Sequence, residues 1–124
     1  GATDATKPRY DRGVIHIPMV WSGGAVKQTK TIDKMMNQSD FAATLLGQMG
    51  IAHDDFIFSR DVMSASYVYP TSTFCYNNGI MFADSTGVTV YDNDAGRTIV
   101  GKDSKRENKA KATLQTVYKK IGTN

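Results

Sequence analysis

Apolar residues recur along this chain in three rhythms, and each predicts a different element. Residues 14–21, Val-Ile-His-Ile-Pro-Met-Val-Trp, are nearly all apolar, the pattern of a strand buried on both faces. Pro18 removes one ladder donor and predicts an irregular end to that strand, and Ser22-Gly23-Gly24 breaks it. Over 39–49 the rhythm is helical. Phe41, Leu45, Leu46 and Met49 recur at helical spacing, with Ser39 as N-cap, Asp40 in the first turn and Gly50 as the stop. A short apolar piece, Phe56-Ile57-Phe58, follows the acidic turn His53-Asp54-Asp55. Residues 1–12 are polar and read as a frayed lead-in.

From residue 67 the rhythm shortens. Tyr67-Val68-Tyr69 is β-prone, and Thr73–Tyr76 faces Ile80-Met81-Phe82 across Asn77-Asn78-Gly79. Asn-Gly is a strong hairpin signal, because both central residues of a type I′ turn need positive φ. Asp84-Ser85-Thr86-Gly87 turns into Val88–Tyr91, and Asp92–Gly96 turns into Thr98-Ile99-Val100. Short strands joined by tight turns predict an antiparallel meander of about four strands. Residues 104–121 then read as a helix. Ser104 and Glu107 form a capping box, Ala110, Leu114, Val117 and Ile121 make one apolar stripe, and Gly122 ends it.

The fold expected is α+β. An antiparallel meander has a C-terminal amphipathic helix on one face and leaves the other face wet, preceded by an N-terminal strand-loop-helix unit. The 124 residues are read as a single domain in three parts, 1–12, 13–62 and 63–124. No run of about 18 apolar residues is present to span a membrane, and no signal segment is visible at the N-terminus. Gly1 in place of Met reads as a processed or cut-down product. Charge is uneven: 101–124 carries seven Lys/Arg against two Asp/Glu, +5, whereas 51–100 carries two against six, −4. The basic end suits an anionic partner or the solvated face of a helix.

Little chemistry is concentrated anywhere. His16 falls inside the apolar strand without an acidic neighbour at metal spacing and reads as structural. His53 reads as a surface residue beside Asp54 and Asp55. Cys75 is the single cysteine, which excludes an internal disulfide and a Cys-based zinc cluster, and it reads as a buried inert thiol. Asp92, Asp94 and Gly96 fail the calcium-loop pattern and read as a turn. Asn37-Gln38-Ser39 fits a glycosylation sequon by chance composition. Tyr67, Tyr69, Phe74 and Tyr76 offer faces for bases, but their acidic surroundings favour core and cross-strand packing. No phosphate loop, nucleophile elbow or paired catalytic carboxylates occur.

Three segments nevertheless follow a known order. His16–Gly24 resembles the "h-I-P-l-i-h-x-p-G" strand of the sulfatase-like branch of the alkaline phosphatase superfamily. Ser39–Gly50 resembles its "s-q-i-D-i-a-P-T-L-L-x-x-l-G", and Phe58–Val62 its "f-G-r-d-l". Lipoteichoic acid synthase and related phosphoglycerol and phosphoethanolamine transferases are the nearest members. Ala43 stands where the pattern has Pro, and Ser59 where it has Gly.

The resemblance implies the C-terminal portion of a bacterial, membrane-anchored hydrolase or transferase. That parent acts on sulfate or phosphate esters at the periplasmic or extracellular face of the inner membrane and uses a divalent metal (Mn, Mg, Ca or Zn). The parent's nucleophile and metal ligands lie upstream, and its Asp-His pair is absent here. No catalytic, cofactor-binding or metal-ligating residue is therefore assigned, and the isolated chain is expected to be inactive. Asp40 takes a helix N-terminal role, and Arg60 and Asp61 structural ones. Residues 14–21 would close the parent's main sheet, and the meander would wall its cleft. The implied partners are the missing catalytic part and further copies of the fragment, without nucleic acid and without membrane contact by this segment. The alternative is a stand-alone α+β interaction module. It would bind a protein or anionic partner through its sheet face or through its basic helix and the Lys-rich stretch 102–111.

Overall fold

The computed structural model describes residues 5–24 and 26–122, so the first four residues of the lead-in lie outside it. The chain divides into two units, residues 1–33 and 34–124. In the first, a single helical turn, α1 (Arg12–Ile15), is capped by Asp11, whose side chain accepts the Gly13 N–H at 2.7 Å. The strand expected over 14–21 does not form. Val14 and Ile15 belong to α1, His16 is its exposed C-cap, and residues 17–21 run on without sheet pairing, with Val20 86% exposed. A strand buried on both faces needs neighbours on both sides. No described strand pairs with this one, and Pro18 removes a donor as well.

The second unit begins with a 3-10 turn, Gln38–Asp40, that runs into α2 (Phe41–Gln48). The helix lies where its spacing predicts, but it faces the other way. Ala43 and Thr44 are its buried residues, whereas Phe41, Leu45 and Met49 are 40%, 37% and 61% exposed. Small side chains face inward because another segment passes close. A Cβ on Gly47 would lie 2.3 Å from an Asp61 carboxyl oxygen. Ser39 is not the cap. Asn37 caps the 3-10 turn and Asp40 stands at the start of α2, where its side chain reaches back to accept the Asn37 N–H at 2.8 Å. Phe56, Ile57 and Phe58 are exposed, and residues 67–69 form no strand.

The meander forms as predicted. Strands β1 (Ser72–Tyr76), β2 (Gly79–Asp84), β3 (Gly87–Asp92) and β4 (Arg97–Val100) pair antiparallel in chain order. The first turn is shorter than expected. Tyr76 pairs with Gly79, leaving Asn77-Asn78 as the turn, and no described non-glycine residue has positive φ, so the turn is not type I′. It is held instead by the neighbouring turn. Asn93 N–H donates to the Asn78 carbonyl at 2.7 Å, and the Asn78 amide donates to Asp94 at 2.6 Å. Gly79 is required by closeness, because a Cβ there would lie 2.2 Å from the Tyr91 carbonyl oxygen. Between β3 and β4 the register skips Ile99, since Val90 faces Val100 and Tyr91 faces Thr98. The extra residue bends the edge strand.

Helix α3 (Ser104–Ile121) packs on this sheet through Ala110, which joins Ile80 and Phe82 in the core with Tyr91 and Leu114 at its margin. Its bounds match the sequence, but its cap is Asp103, whose side chain accepts the Arg106 N–H at 2.9 Å. Glu107 is drawn away from a capping box by Thr98 and Lys111, each at 2.6 Å. The other sheet face is not wet at its centre, because Met81, Ala83 and Val90 are also buried. Alternation places them opposite Ile80 and Phe82, so β2 reads as an interior strand.

One polar network clamps α3 to the β2–β3 turn. Arg106 donates to Thr89 at 2.9 Å and to Thr86 at 2.5 Å, and lies 3.8 Å from Asp84. Burial pushes the Asp84 carboxyl up, but bonds from Thr86 and Tyr69 and the Arg106 charge more than offset it and hold the pKa at about 2. A carboxyl held below its ordinary value adds stability that is present above that value and is lost as pH falls through the folded one. Unfolding free energy should therefore drop between about pH 4 and about pH 2. Asp84→Asn should flatten that drop in urea titrations at each pH, and an unchanged slope would contradict the assignment.

Candidate functional site

Two of the three segments that carry the resembling motifs, 39–50 and 58–62, meet at an ion pair whose acid is buried. Asp40 is fully buried. Its Oδ1 accepts the Arg60 backbone N–H and Nε, both at 3.0 Å, and its Oδ2 accepts Arg60 Nη2 at 2.6 Å. This is the two-pronged geometry in which a guanidinium binds a carboxylate most strongly. Arg60 also reaches the chain leading into β1, with Nη1 donating to Thr71 Oγ1 at 2.6 Å and Nη2 to the Thr71 carbonyl at 3.0 Å. Its guanidinium lies 5.0 Å from the centre of the Tyr67 ring, within cation–π range.

Thr44 and Asn37 complete the brace. Thr44 is fully buried. Its hydroxyl lies 2.6 Å from the Asp40 carbonyl and 3.1 Å from that of Arg60, and it accepts the Val62 N–H at 3.1 Å. The Asn37 side chain accepts the Thr73 N–H at 2.6 Å and donates to Thr73 Oγ1 at 3.2 Å. The amide that a sequon would offer for glycosylation is thus engaged in holding the start of β1. Tyr67 is buried as a core residue but not in a strand, and its hydroxyl donates to the Met35 carbonyl at 2.7 Å.

Helix starts leave backbone donors without intrahelical partners. The buried Ala43 N–H is one of these, and Ser59 Oγ accepts it at 2.8 Å. Above the ion pair an open cavity of about 390 Å³ is lined by His53, Phe56, Ile57, Ser59, Arg60 and Tyr67. Arg60 reaches it with its side chain 36% exposed, but both carboxyl oxygens of Asp40 already hold that guanidinium. Ser59 is occupied by Ala43, and Ser64 and Ser66 bond each other at 2.8 Å. The arrangement braces three chain segments.

The remaining candidates lie apart. His53 is half-buried at the cavity wall, and His16 is in the other unit. Cys75 is exposed on the edge strand β1, not buried as expected. The cause is position, because β1 has only one neighbouring strand. Desolvation still pushes its thiol pKa up, the opposite of what a reactive thiolate needs. Asp92 accepts the Ala95 N–H at 2.8 Å and Asp94 the Asn78 amide, as turn residues do. Among the described residues no group of three His, Cys, Asp or Glu side chains is placed to hold a metal ion.

The sequence marked Asp40 and Arg60 separately and missed their pairing, since no spacing rule joins residues twenty apart. No local signal marked either as a buried charge, since Asp40 follows Gln38-Ser39 and Arg60 lies between Ser59 and Asp61. No family model, curated protein or solved structure matches the chain.

The Ala43–Ser59 bond can be tested alone. Ser59→Gly leaves a buried N–H without its acceptor and should cost about 1–3 kcal/mol in urea unfolding. Adding Ala43→Pro removes that donor in the first helical turn, where proline is tolerated, and should recover most of the loss. Equal or greater loss in the double variant would contradict this.

Proposed function

We propose that the chain is the C-terminal subdomain of a sulfatase-like hydrolase or transferase that acts on sulfate or phosphate esters at the bacterial cell envelope. The observation that carries this reading is the Ala43–Ser59 hydrogen bond. These are the chain's two departures from the invariant Pro and Gly of the resembled pattern. That pattern pairs a Pro, which has no N–H, with a Gly, which has no side-chain acceptor. Here both appear together, and they bond each other. Two departures that compensate in space are what one divergent pattern produces, and chance resemblance gives no reason for it.

The apolar surface supports the same reading. Phe41, Leu45 and Met49 lie inside the resembling helix and point outward, and Val20 is exposed in the resembling 14–21 segment. Such surface fits a part that packs against more protein, either the catalytic part of the parent or a second copy. The divalent metal that the resemblance implies does not fit the described residues, which hold no ligand group for it. Its ligands and the nucleophile would come from the parent outside this chain. The work of this segment is then mechanical. Asp40 and Arg60 fix the 39–62 region to the sheet and present the outward α2 face in one orientation.

The test is to express the whole open reading frame that encodes this chain beside residues 1–124 alone. Each is assayed with added divalent metals on an aryl sulfate and an aryl phosphodiester. The proposal expects metal-dependent turnover from the full frame and none from 1–124. An inactive full frame, or turnover by 1–124 itself, would overturn it.

A further inference from the structure

Helix α3 runs on past the core it packs against. Ala110 is buried and Leu114 half-buried against Ile80 and Phe82, but further along the same stripe Ile121 is 67% exposed, with Tyr118 beside it at 62%. The stripe therefore starts in the core and ends in solvent. The charges around it are of one sign. From residue 108 to 122 the chain has Lys109, Lys111, Lys119 and Lys120 and no Asp or Glu, within a segment of net charge +5. The nearest acid on the helix, Glu107, is two turns back from Leu114 towards the sheet and is engaged by Lys111 and Thr98.

An exposed apolar tip whose only charges along the helix are lysines is complementary to a surface that is anionic outside and apolar just beneath. We propose that the last two turns of α3, Leu114–Ile121, dock on an anionic lipid bilayer. Tyr118 and Ile121 enter the interfacial layer, where amphipathic rings and aliphatic chains are stable. The lysines extend their stems along it and place their ammonium groups among the headgroups. A nucleic acid would satisfy the charge but offers no apolar layer for Ile121. The proposal departs from the implication of the resemblance that this segment makes no membrane contact, and it stands whether or not the parent is a sulfatase-like enzyme.

The full chain is tested by co-sedimentation with two kinds of vesicle, phosphatidylcholine alone and phosphatidylcholine with phosphatidylglycerol at about 2:1. Binding is expected only to the second, and it should weaken by tenfold or more at high salt. Lys119→Gln with Lys120→Gln should weaken it about fivefold per lysine. Tyr118→Ser with Ile121→Ser should weaken it by tenfold or more. These are exposed positions, so circular dichroism should stay unchanged. Equal binding to both vesicles, no binding to either, or full binding by the Tyr118/Ile121 variant would each overturn the proposal. So would tighter binding to a single-stranded oligonucleotide that this variant leaves intact.

Discussion

A fully buried carboxylate must be compensated or it destabilises the fold that contains it. Asp40 meets that constraint with one partner, Arg60, twenty residues away in sequence, and with two backbone N–H groups. Meeting it fixes much else. Arg60 can reach Asp40 only if the 59–62 backbone lies directly on α2, and this is why the inward side of that helix carries Ala43, Thr44 and Gly47. The same guanidinium holds Thr71, one residue before β1 begins, so the brace is continuous with the sheet. Polar groups here set position.

The outward side of α2 follows from that inward side. With small residues turned in, Leu46 is half-buried and the other large ones, Phe41, Leu45 and Met49, lie largely towards solvent. Helix α3 shows a related economy at the other end of the unit. Its first half is committed to the sheet through Arg106, Glu107 and Ala110, Leu114 still touches that core, and the final turn carries Tyr118 and Ile121 out into solvent. The unit thus presents two unlike surfaces. One is apolar and lies on α2, and the other is apolar with a basic rim at the tip of α3. A single protein partner fits the first better than the second.

What the sequence made legible was local. The meander and the span of α3 follow from alternation, turn residues and a 3.6-residue period, which a single chain carries in full. The cap of α3 moved one residue, to Asp103, because Glu107 found better partners in Lys111 and Thr98 than in a capping box. What failed was non-local. The 14–21 strand was read from composition, but a strand exists only with its neighbours. Helix α2 was placed correctly and faced wrongly, because periodicity gives a stripe and not the direction of the core. Cys75 was read as buried, yet β1 is an edge. The candidate site was half legible: both charged residues stood out as motif positions, and their contact did not.

The measurement that bears most directly on this account is a double-mutant cycle across the ion pair, read by urea unfolding. Asp40→Ala, which leaves Arg60 without its buried partner, should cost about 3–5 kcal/mol. Replacing both residues with apolar groups of similar size, Asp40→Leu with Arg60→Met, should cost much less, and the two sites should couple strongly. If Asp40→Ala stays within about 1 kcal/mol of the parent chain, or the two substitutions simply add, then the 39–62 segment is held by something else. The brace would then not be what the unit depends on.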